Sequence, residues 1–252
     1  MTSVLGVISA KGGVGKTTTT ANLAAALAQK GYNVTAVDGN ITTPNLSIHL
    51  GCALYPVTLH DVLLGRAPIE QAIYHHPCGM RVVPASLAVS DLCVKPEMFQ
   101  AAVSGLLRGK GLLIIDGAAG LGREARAVMA AADSLLIVTN PDLPSVTDAL
   151  KAVRLAAQSG KPVLGVVLNR VGAYPSQMSA EEVVGMMDVP VLVSIPEDGA
   201  VPASIAAQTP VVLWKPRSRA ARAYNRLAGI IVGEREPEAG SLLESLLGFF
   251  RR

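Results

Sequence analysis

Residues 10–18 read A-K-G-G-V-G-K-T-T, and this run constrains the fold more than any other part of the chain. An apolar stretch typical of a β-strand, residues 3–8, precedes it, and an alanine-rich stretch typical of a helix, residues 21–27, follows it. A glycine-rich turn between a strand and a helix directs successive backbone N–H groups into one concavity, which suits a polyphosphate. The alternative is a glycine turn that binds no ligand. It would not explain why a lysine and a hydroxyl residue, Lys16 and Thr17, lie at the motif positions between the strand and the helix.

In a loop of this kind the lysine lies along the β- and γ-phosphates and the hydroxyl that follows it reaches Mg²⁺. We assign these roles to Lys16 and Thr17. The predicted phosphate-binding residues are Gly12, Gly13, Val14, Gly15, Lys16, Thr17 and Thr18. The spacing by itself indicates a nucleotide pocket.

The composition is typical of an α/β protein. Half of the 252 residues are hydrophobic and only 4% are aromatic. Abundant alanine, valine and leucine suit parallel strands that are covered by alanine-rich helices. Strand-like and helix-like segments alternate, so we predict an α/β fold of the P-loop NTPase type, with a mostly parallel, twisted sheet flanked by helices on both faces. Ligands then bind at the carboxyl ends of the strands.

Hydrophobic periodicity and turn residues give the approximate positions of these elements. Predicted strands lie near residues 3–9, 33–38, 81–84, 111–116, 134–139, 163–169 and 190–194. Predicted helices lie near residues 16–30, 58–64, 68–75, 95–108, 122–132, 144–159, 178–187, 198–207 and 217–232.

The apolar strand predicted at 111–116 ends in an aspartate, Asp116, and two glycines follow it at 117 and 120. An acidic residue in this position of a P-loop chain is the Walker B arrangement, in which the carboxylate holds Mg²⁺ mostly through water. The glycines give the following loop the freedom to respond to the γ-phosphate. The alternative is an aspartate that merely caps the next turn.

A second lysine, Lys11, begins the glycine-rich loop, and Ala10 lies where the ordinary Walker A loop has its first glycine. This K-G-G-V-G-K-T form resembles the deviant Walker A loop of the MinD/ParA family. The resemblance implies an ATPase that uses ATP or ADP with Mg²⁺ and forms an ATP-dependent homodimer. It also implies that Lys11 reaches across the dimer interface to the phosphates of the other subunit. Partners in such a family include a protein activator or cargo, whose identity the sequence does not give.

Residues 38–46, D-G-N-I-T-T-P-N-L, resemble the switch I segment of that family. The resemblance places Asp38 near the phosphates and the water shell of the metal. The family usually has a second aspartate two residues later, associated with the attacking water, whereas this chain has Asn40. An amide orients water but cannot accept a proton at neutral pH, so we expect slow hydrolysis. Asn40 is either native to a divergent branch or an introduced substitution, and a capping role in the loop fits both.

The resemblance also implies a base site on two later strand ends. Asn169 follows a predicted strand, and an amide has the donor and acceptor that an adenine edge requires. The expected base-binding residues are Asn169, Arg170, Pro196, Glu197 and Asp198. The alternative is that the asparagine and the proline only form turns.

The C-terminal segment predicts a second functional element. Residues 234–240 are polar, contain proline and glycine, and are typical of a linker after a domain that spans 1–233. At 100° per residue, six apolar side chains of residues 241–252 fall within roughly 160° of a helix. The predicted membrane-contacting residues are Leu242, Leu243, Leu246, Leu247, Phe249, Phe250, Arg251 and Arg252.

Such a tail helix suits an anionic membrane interface, with its apolar face among acyl chains and its arginines near headgroups. The resemblance to the membrane-targeting sequence of the MinD branch favours this interpretation. The alternative is docking onto the protein's own domain or onto a protein partner. No apolar run is long enough to span a membrane, and we see no signal peptide. Cys52, Cys78 and Cys93 have no C-x-x-C spacing, so we expect reduced thiols and a cytoplasmic protein. Together with the predicted tail helix, this places the protein at the cytoplasmic face of the cell membrane.

Two other functions remain open. The first is a ParA-like partitioning ATPase that binds nonspecific DNA through an acid-free basic cluster, formed by Lys215, Arg217, Arg219, Arg222 and Arg226. That cluster is equally consistent with a solvated helix face. The second is a nucleotide-dependent scaffold that localises cargo with little turnover. The slow hydrolysis expected from Asn40 is the reason to consider it.

Overall fold

A computed structural model describes residues 2–52, 54–88, 98–107 and 110–234. The strands are β1 (Thr2–Ser9), β2 (Val34–Asp38), β3 (Tyr74–His75), β4 (Arg81–Val83), β5 (Gly111–Ala119), β6 (Ser134–Thr139), β7 (Val163–Val171) and β8 (Val191–Pro196). The helices are α1 (Lys16–Gln29), α2 (Leu46–His49), α3 (Leu59–Leu63), α4 (Phe99–Ser104), α5 (Arg123–Ala131), α6 (Leu143–Gln158), α7 (Ala180–Met187), α8 (Ala200–Ala206), α9 (Val211–Trp214) and α10 (Arg219–Ile231). Two 3₁₀ turns span Ile69–Ala72 and Gly105–Leu107.

The described residues form one eight-stranded sheet with the strand order β3-β4-β2-β5-β1-β6-β7-β8. Its pairs are parallel except for β3 and β4, which are antiparallel. The predicted α/β fold with a mostly parallel sheet is confirmed. Because β2, β5 and β1 are neighbours, the three loops that follow them meet at one edge of the sheet.

Two hydrophobic cores cover the two faces of this sheet. Successive residues of β1 alternate between them: Leu5 and Val7 belong to the core under α1 and α10, whereas Val4 and Ile8 belong to the core under α5 and α6. This alternation follows from the two-residue period of a strand. Both faces are apolar, as expected for a parallel sheet with helices on both sides.

The predicted helix at 68–75 is wrong in its second half. Residues Ile69–Ala72 form a 3₁₀ turn, and Tyr74 and His75 then form β3. The Tyr74 hydroxyl donates to the carbonyl of Val57 at 2.9 Å and accepts from its N–H at 3.0 Å. This tertiary contact fixes Tyr74 in an extended segment, which local periodicity does not reveal.

Two short helices, α2 and α9, were not predicted, since each has only four residues and too short a pattern to be recognised. The predicted helix at 95–108 contains α4 and the 3₁₀ turn that follows it. Residues 95–97 and 108 lie outside the described residues. The predicted strands all coincide with observed ones.

Candidate functional site

The glycine-rich loop joins β1 to α1 as the motif predicts, with α1 beginning at Lys16. Gly13 and Gly15 have φ angles of +78° and +96°, in the left-handed region that glycine adopts without strain. A Cβ atom at Gly15 would also lie 2.1 Å from Nδ2 of Asn169. The loop therefore requires glycine at this position both for its backbone conformation and for the approach of β7.

Lys16, Thr17 and Asp116 form one hydrogen-bonded group at the start of α1. Lys16 Nζ lies 2.9 Å from Asp116 Oδ1, and the Thr17 hydroxyl donates to Asp116 Oδ2 at 2.6 Å. Thr20, one turn further along α1, also donates to Asp116 Oδ1 at 3.0 Å. Asp116 is fully buried, and these three donors replace the hydrogen bonds that its carboxylate would form with water.

Asp38 lies beside this group because β2 and β5 pair in a register that places Asp38 opposite Asp116. Its carboxylate accepts from the backbone N–H groups of Asn40, Asn45 and Leu46 at 3.0–3.2 Å. Complete burial and the neighbouring charge of Asp116 raise the pKa of Asp38 to about 7. These effects outweigh its backbone hydrogen bonds and the charge of Lys16, which lower the pKa.

The predicted Mg²⁺-binding residues fit that ion. Thr17, Asp38 and Asp116 supply a hydroxyl and two carboxylates, the oxygen ligands that Mg²⁺ prefers. Two adjacent buried carboxylates face one lysine, so the local charge balance also favours a divalent cation. Mg²⁺ in such a site would neutralise charge that develops on the phosphates.

A cavity of about 410 Å³ opens above these residues, and we call it the phosphate cavity. It is lined by Ser9, Gly12, Gly13, Gly15, Lys16, Thr17, Thr18, Asn40, Thr43, Asn45, His49, Ala119 and Arg170. Asn40 thus lies where the resemblance places the water-orienting residue. Its amide is held in a turn, however: Nδ2 donates to the Thr43 carbonyl, and Oδ1 accepts from the Thr43 hydroxyl at 3.1 Å.

Lys11 behaves differently from Lys16. It is exposed, and its Nζ lies 3.4 Å from the Ser145 hydroxyl on α6. Among the described residues it lines a separate cavity of about 470 Å³, together with residues that include Asn140, Asp142 and Tyr174. We call this the outer cavity. Lys11 is absent from the residues that line the phosphate cavity, although it is part of the same loop.

The predicted base-binding residues come together in a third cavity of about 220 Å³ beside the P-loop, which we call the base cavity. It is lined by Gly15, Thr18, Asn169, Arg170, Pro196, Glu197, Asp198, Val201, Pro202 and Ile205. Asn169 Nδ2 donates to the Val14 carbonyl at 2.7 Å, which fixes its amide against the P-loop. Arg170 has a φ of +58° and lines all three cavities.

Asp198 also has a structural task in this region. Its carboxylate accepts from the backbone N–H of Ala200 at 2.9 Å and of Ala220 at 3.0 Å, at the beginnings of α8 and α10. These two hydrogen bonds lower the pKa of Asp198. The roles of the five residues toward a base stay predictions.

The model of the ParA family, described as NUBPL iron-transfer P-loop NTPase, matches residues 1–232. The chain belongs to the ParA family of P-loop NTPases. Membership confirms the sequence-based prediction of a P-loop ATPase of the MinD/ParA type. In contrast to the iron-transfer description, the three cysteines of this ParA-family chain have no C-x-x-C spacing.

MinD proteins are among its relatives. The septum site-determining protein MinD of Thermotoga maritima is 30% identical over 100% of this chain and 98% of its own length. The solved cell division ATPase MinD of Pyrococcus furiosus is 37% identical, with a TM-score of 0.88 over 90% of this chain and 97% of that one. MinD of Pyrococcus horikoshii, solved in complex with Mg-ADP, has the same TM-score at 36% identity, covering 90% and 95%.

The predicted site residues did not include His49, which lines the phosphate cavity of this ATPase, nor four other lining residues, Ser9, Thr43, Asn45 and Ala119. The Nε2 of His49 lies 3.3 Å from the Thr18 hydroxyl, and its Nδ1 lies 2.9 Å from the Asn45 carbonyl. The histidine belongs to α2, which was not predicted, so no pattern connected it with the P-loop.

The basic cluster of this family member begins before α10 and continues along it. Arg219 donates to the Glu197 carbonyl at 3.0 Å, and Arg222 donates to the Arg217 carbonyl at 2.7 Å. The side chains of Arg219 and Arg222 are therefore engaged with the domain itself. A role of the cluster in DNA binding stays a prediction.

The predicted linker begins at Glu234, which is the last described residue. Residues 235–252, which include every predicted membrane-contacting residue, lie outside the described residues. Glu234 precedes them, and its Oε2 lies 2.6 Å from Lys30 Nζ, one residue after α1. In the part of the chain that is described, no helix is long and apolar enough to cross a membrane.

Proposed function

We propose that this ATPase binds ATP or ADP with Mg²⁺, dimerises with ATP, and attaches through its tail to the cytoplasmic face of the cell membrane. There it positions cell-division or other cellular machinery, and slow hydrolysis releases it. The observation that carries the proposal is the position of Lys11. This exposed lysine belongs to the P-loop but lines the outer cavity instead of the phosphate cavity.

The surroundings of Lys11 support dimerisation. In the described part of its own subunit, Lys11 Nζ has a neutral hydroxyl, that of Ser145, as its hydrogen-bond partner at 3.4 Å, a weak contact for an ammonium group. A second subunit that faces the P-loop edge of the sheet would bring phosphates toward this lysine. The charge of ATP would then be shared between Lys16 of one subunit and Lys11 of the other, so ATP would stabilise the dimer.

Membrane attachment is supported by the predicted division of the chain into an ATPase domain (1–233), a linker (234–240) and an amphipathic helix (241–252). One helix of twelve residues is too short to be stable alone in water and should bind weakly. Two tails in one dimer bind together with a raised effective concentration. ATP-dependent dimerisation would thereby become ATP-dependent membrane attachment.

A protein partner is part of the proposal. MinD of Aquifex aeolicus, 28% identical with a TM-score of 0.82 over 94% of this chain and 98% of that one, has been solved in complex with MinC. We therefore propose that this ATPase also acts through a protein activator or cargo. The basic cluster supports a second candidate, a ParA-like ATPase that binds nonspecific DNA. Steeply salt-dependent DNA binding by the ATP form would favour that candidate.

Replacing Lys11 by alanine should prevent ATP-dependent dimerisation. Wild-type protein is expected to double its mass in light scattering when a non-hydrolysable ATP analogue replaces ADP, whereas Lys11→Ala stays a monomer with both. Affinity for ADP should change by less than about twofold, because Lys11 does not line the phosphate cavity of its own subunit. Lys151→Ala, which removes an exposed lysine on α6, is the matched control. A Lys11→Ala protein that dimerises like the wild type would refute the assignment.

Replacing Asn40 by aspartate should raise the turnover of ATP by roughly tenfold, because a carboxylate accepts a proton from the attacking water and an amide does not. The change also breaks the hydrogen bond from Nδ2 to Thr43, so Asn40→Ala is needed as a control. Phosphate release under multiple turnover separates the two effects. An equal rise in both variants would indicate a loosened turn, and an unchanged rate in Asn40→Asp would show that this position does not limit hydrolysis.

A further inference from the structure

We define switch I as residues 38–46. This segment donates hydrogen bonds to Glu124, a residue of α5 that no sequence motif identified. The Oε2 of Glu124 accepts from the backbone N–H of Ile41 at 3.1 Å and of Thr42 at 3.3 Å. Its Oε1 accepts from the Thr42 hydroxyl. One half-buried carboxylate therefore binds three donors in the middle of switch I.

The same stretch of switch I is also fixed on its other side. The buried His60 of α3 lies with Nε2 3.0 Å from the Ile41 carbonyl, and its Nδ1 accepts from the Ser86 N–H at 2.9 Å. His60 is a buried residue of α3, whereas Glu124 belongs to α5. The Ile41–Thr42 peptide unit thus connects α3 to α5.

The position of Glu124 in the chain gives this contact its significance. We define switch II as residues 117–122, which comprise the last three residues of β5 and the turn after them, and Glu124 is the second residue of the helix that follows. Ala119 of switch II lines the phosphate cavity, and the Gly120 N–H donates to the Ser9 carbonyl at 3.0 Å. If switch II moves, the first turn of α5 should move with it. The hydrogen bonds of Glu124 would then transmit this displacement to Ile41 and Thr42.

We propose that Glu124 is a positioning residue that couples the two switch segments, so that the γ-phosphate of ATP orders both together. Within the described residues, the hydrogen bonds given for this carboxylate go to Ile41 and Thr42 of switch I. The segment that it holds contains Asp38, which lies opposite Asp116 in the sheet, and Asn40, which lines the phosphate cavity. Glu124 thereby determines how strongly the site distinguishes ATP from ADP. This inference rests on the ATPase activity and is independent of the tail and of the dimer.

The test measures the affinities of the full chain for a fluorescent ADP and for a non-hydrolysable ATP analogue, both with Mg²⁺. We expect Glu124→Ala to weaken binding of the ATP analogue by at least about fivefold while ADP affinity stays within about twofold. Glu124→Gln should restore discrimination, because its amide oxygen still accepts from the two backbone N–H groups and its NH₂ group donates to Thr42. A merely structural loss would weaken both nucleotides alike.

Two further variants isolate the effect. Glu181→Ala removes an acidic residue from the first turn of α7, and it controls for the loss of a favourable charge at a helix N-terminus. Repeating the comparison in the Lys11→Ala background removes any contribution of dimerisation, so that failure of the dimer proposal leaves the result interpretable. Unchanged discrimination in Glu124→Ala, or equal losses in the alanine and glutamine variants, would overturn the proposal.

Discussion

Lys16→Ala is expected to abolish measurable binding of ATP and ADP, with at least a hundredfold loss of affinity. The lysine is the charged group that the P-loop directs to the β- and γ-phosphates, and charge-assisted contacts of this kind are among the strongest in proteins. In this chain the loss has a second component. Lys16 lies 2.9 Å from the buried Asp116, and its removal leaves two adjacent carboxylates without their cation. Their repulsion would disfavour a polyphosphate further.

The same substitution should lower the stability of the folded domain. Removing one partner of a buried ion pair typically costs about 3–5 kcal/mol. At roughly 2–4 °C per kcal/mol for a domain of this size, the melting temperature should fall by about 10 °C. Protonation of Asp38, whose pKa is already raised to about 7 by burial and by Asp116, limits the loss. Calorimetry of binding must therefore be made well below the lowered melting temperature.

Lys151→Ala provides the control for this experiment. Lys151 pairs with Asp148 at 2.8 Å on the exposed surface of α6, and pairs of that kind contribute at most about 1 kcal/mol. Its removal should leave nucleotide affinity and melting temperature nearly unchanged. If folded Lys16→Ala protein still binds ATP tightly, the assignment of the phosphate site is wrong.

Ending the chain at Glu238 is expected to reduce binding to anionic vesicles to the background level. The truncation removes the six apolar side chains that the predicted helix places on one face, together with both terminal arginines. Each fully buried leucine or phenylalanine contributes about 1.5–3 kcal/mol to transfer from water, so partial insertion of the face would account for the proposed attachment. The match to the ParA family ends at residue 232, before the deletion, so nucleotide binding should be unaffected.

Point substitutions in the tail make this prediction more specific. Leu246→Glu introduces a charge in the middle of the predicted apolar face and should be nearly as damaging as the truncation. Ser245→Ala changes the neighbouring residue on the polar side and should leave sedimentation with vesicles unchanged. Equal sedimentation of the intact and truncated chains would exclude the tail as the membrane contact.

The sequence predicted the parts of the site that depend on a continuous local pattern. The loop of residues 10–18 and the aspartate after β5 were recognisable because each follows an apolar strand. Asp38 was assigned to the metal site by resemblance and Asp116 by its position after a strand, and the pairing of β2 with β5 places the two opposite each other. The base-binding residues were placed by resemblance, and the structure brings them to one cavity.

The missed features depend on contacts between distant segments. The hydrogen bonds of Glu124 to switch I join residues more than 80 positions apart, and at the start of a helix an acidic residue is locally expected for its charge alone. Asp198 was predicted to face a base, whereas its hydrogen bonds to α8 and α10 require knowledge of where α10 begins. Tyr74 lies in a strand because its hydroxyl binds the Val57 backbone.

If ATP switches this protein onto membranes, the effect should be visible in co-sedimentation of the 252-residue chain with anionic vesicles. The comparison is between a non-hydrolysable ATP analogue and ADP, each with Mg²⁺, at one protein concentration. We expect most of the protein in the pellet with the ATP analogue and most in the supernatant with ADP, because only the dimer has two tails. Equal sedimentation in both states, or none in either, would contradict the proposal.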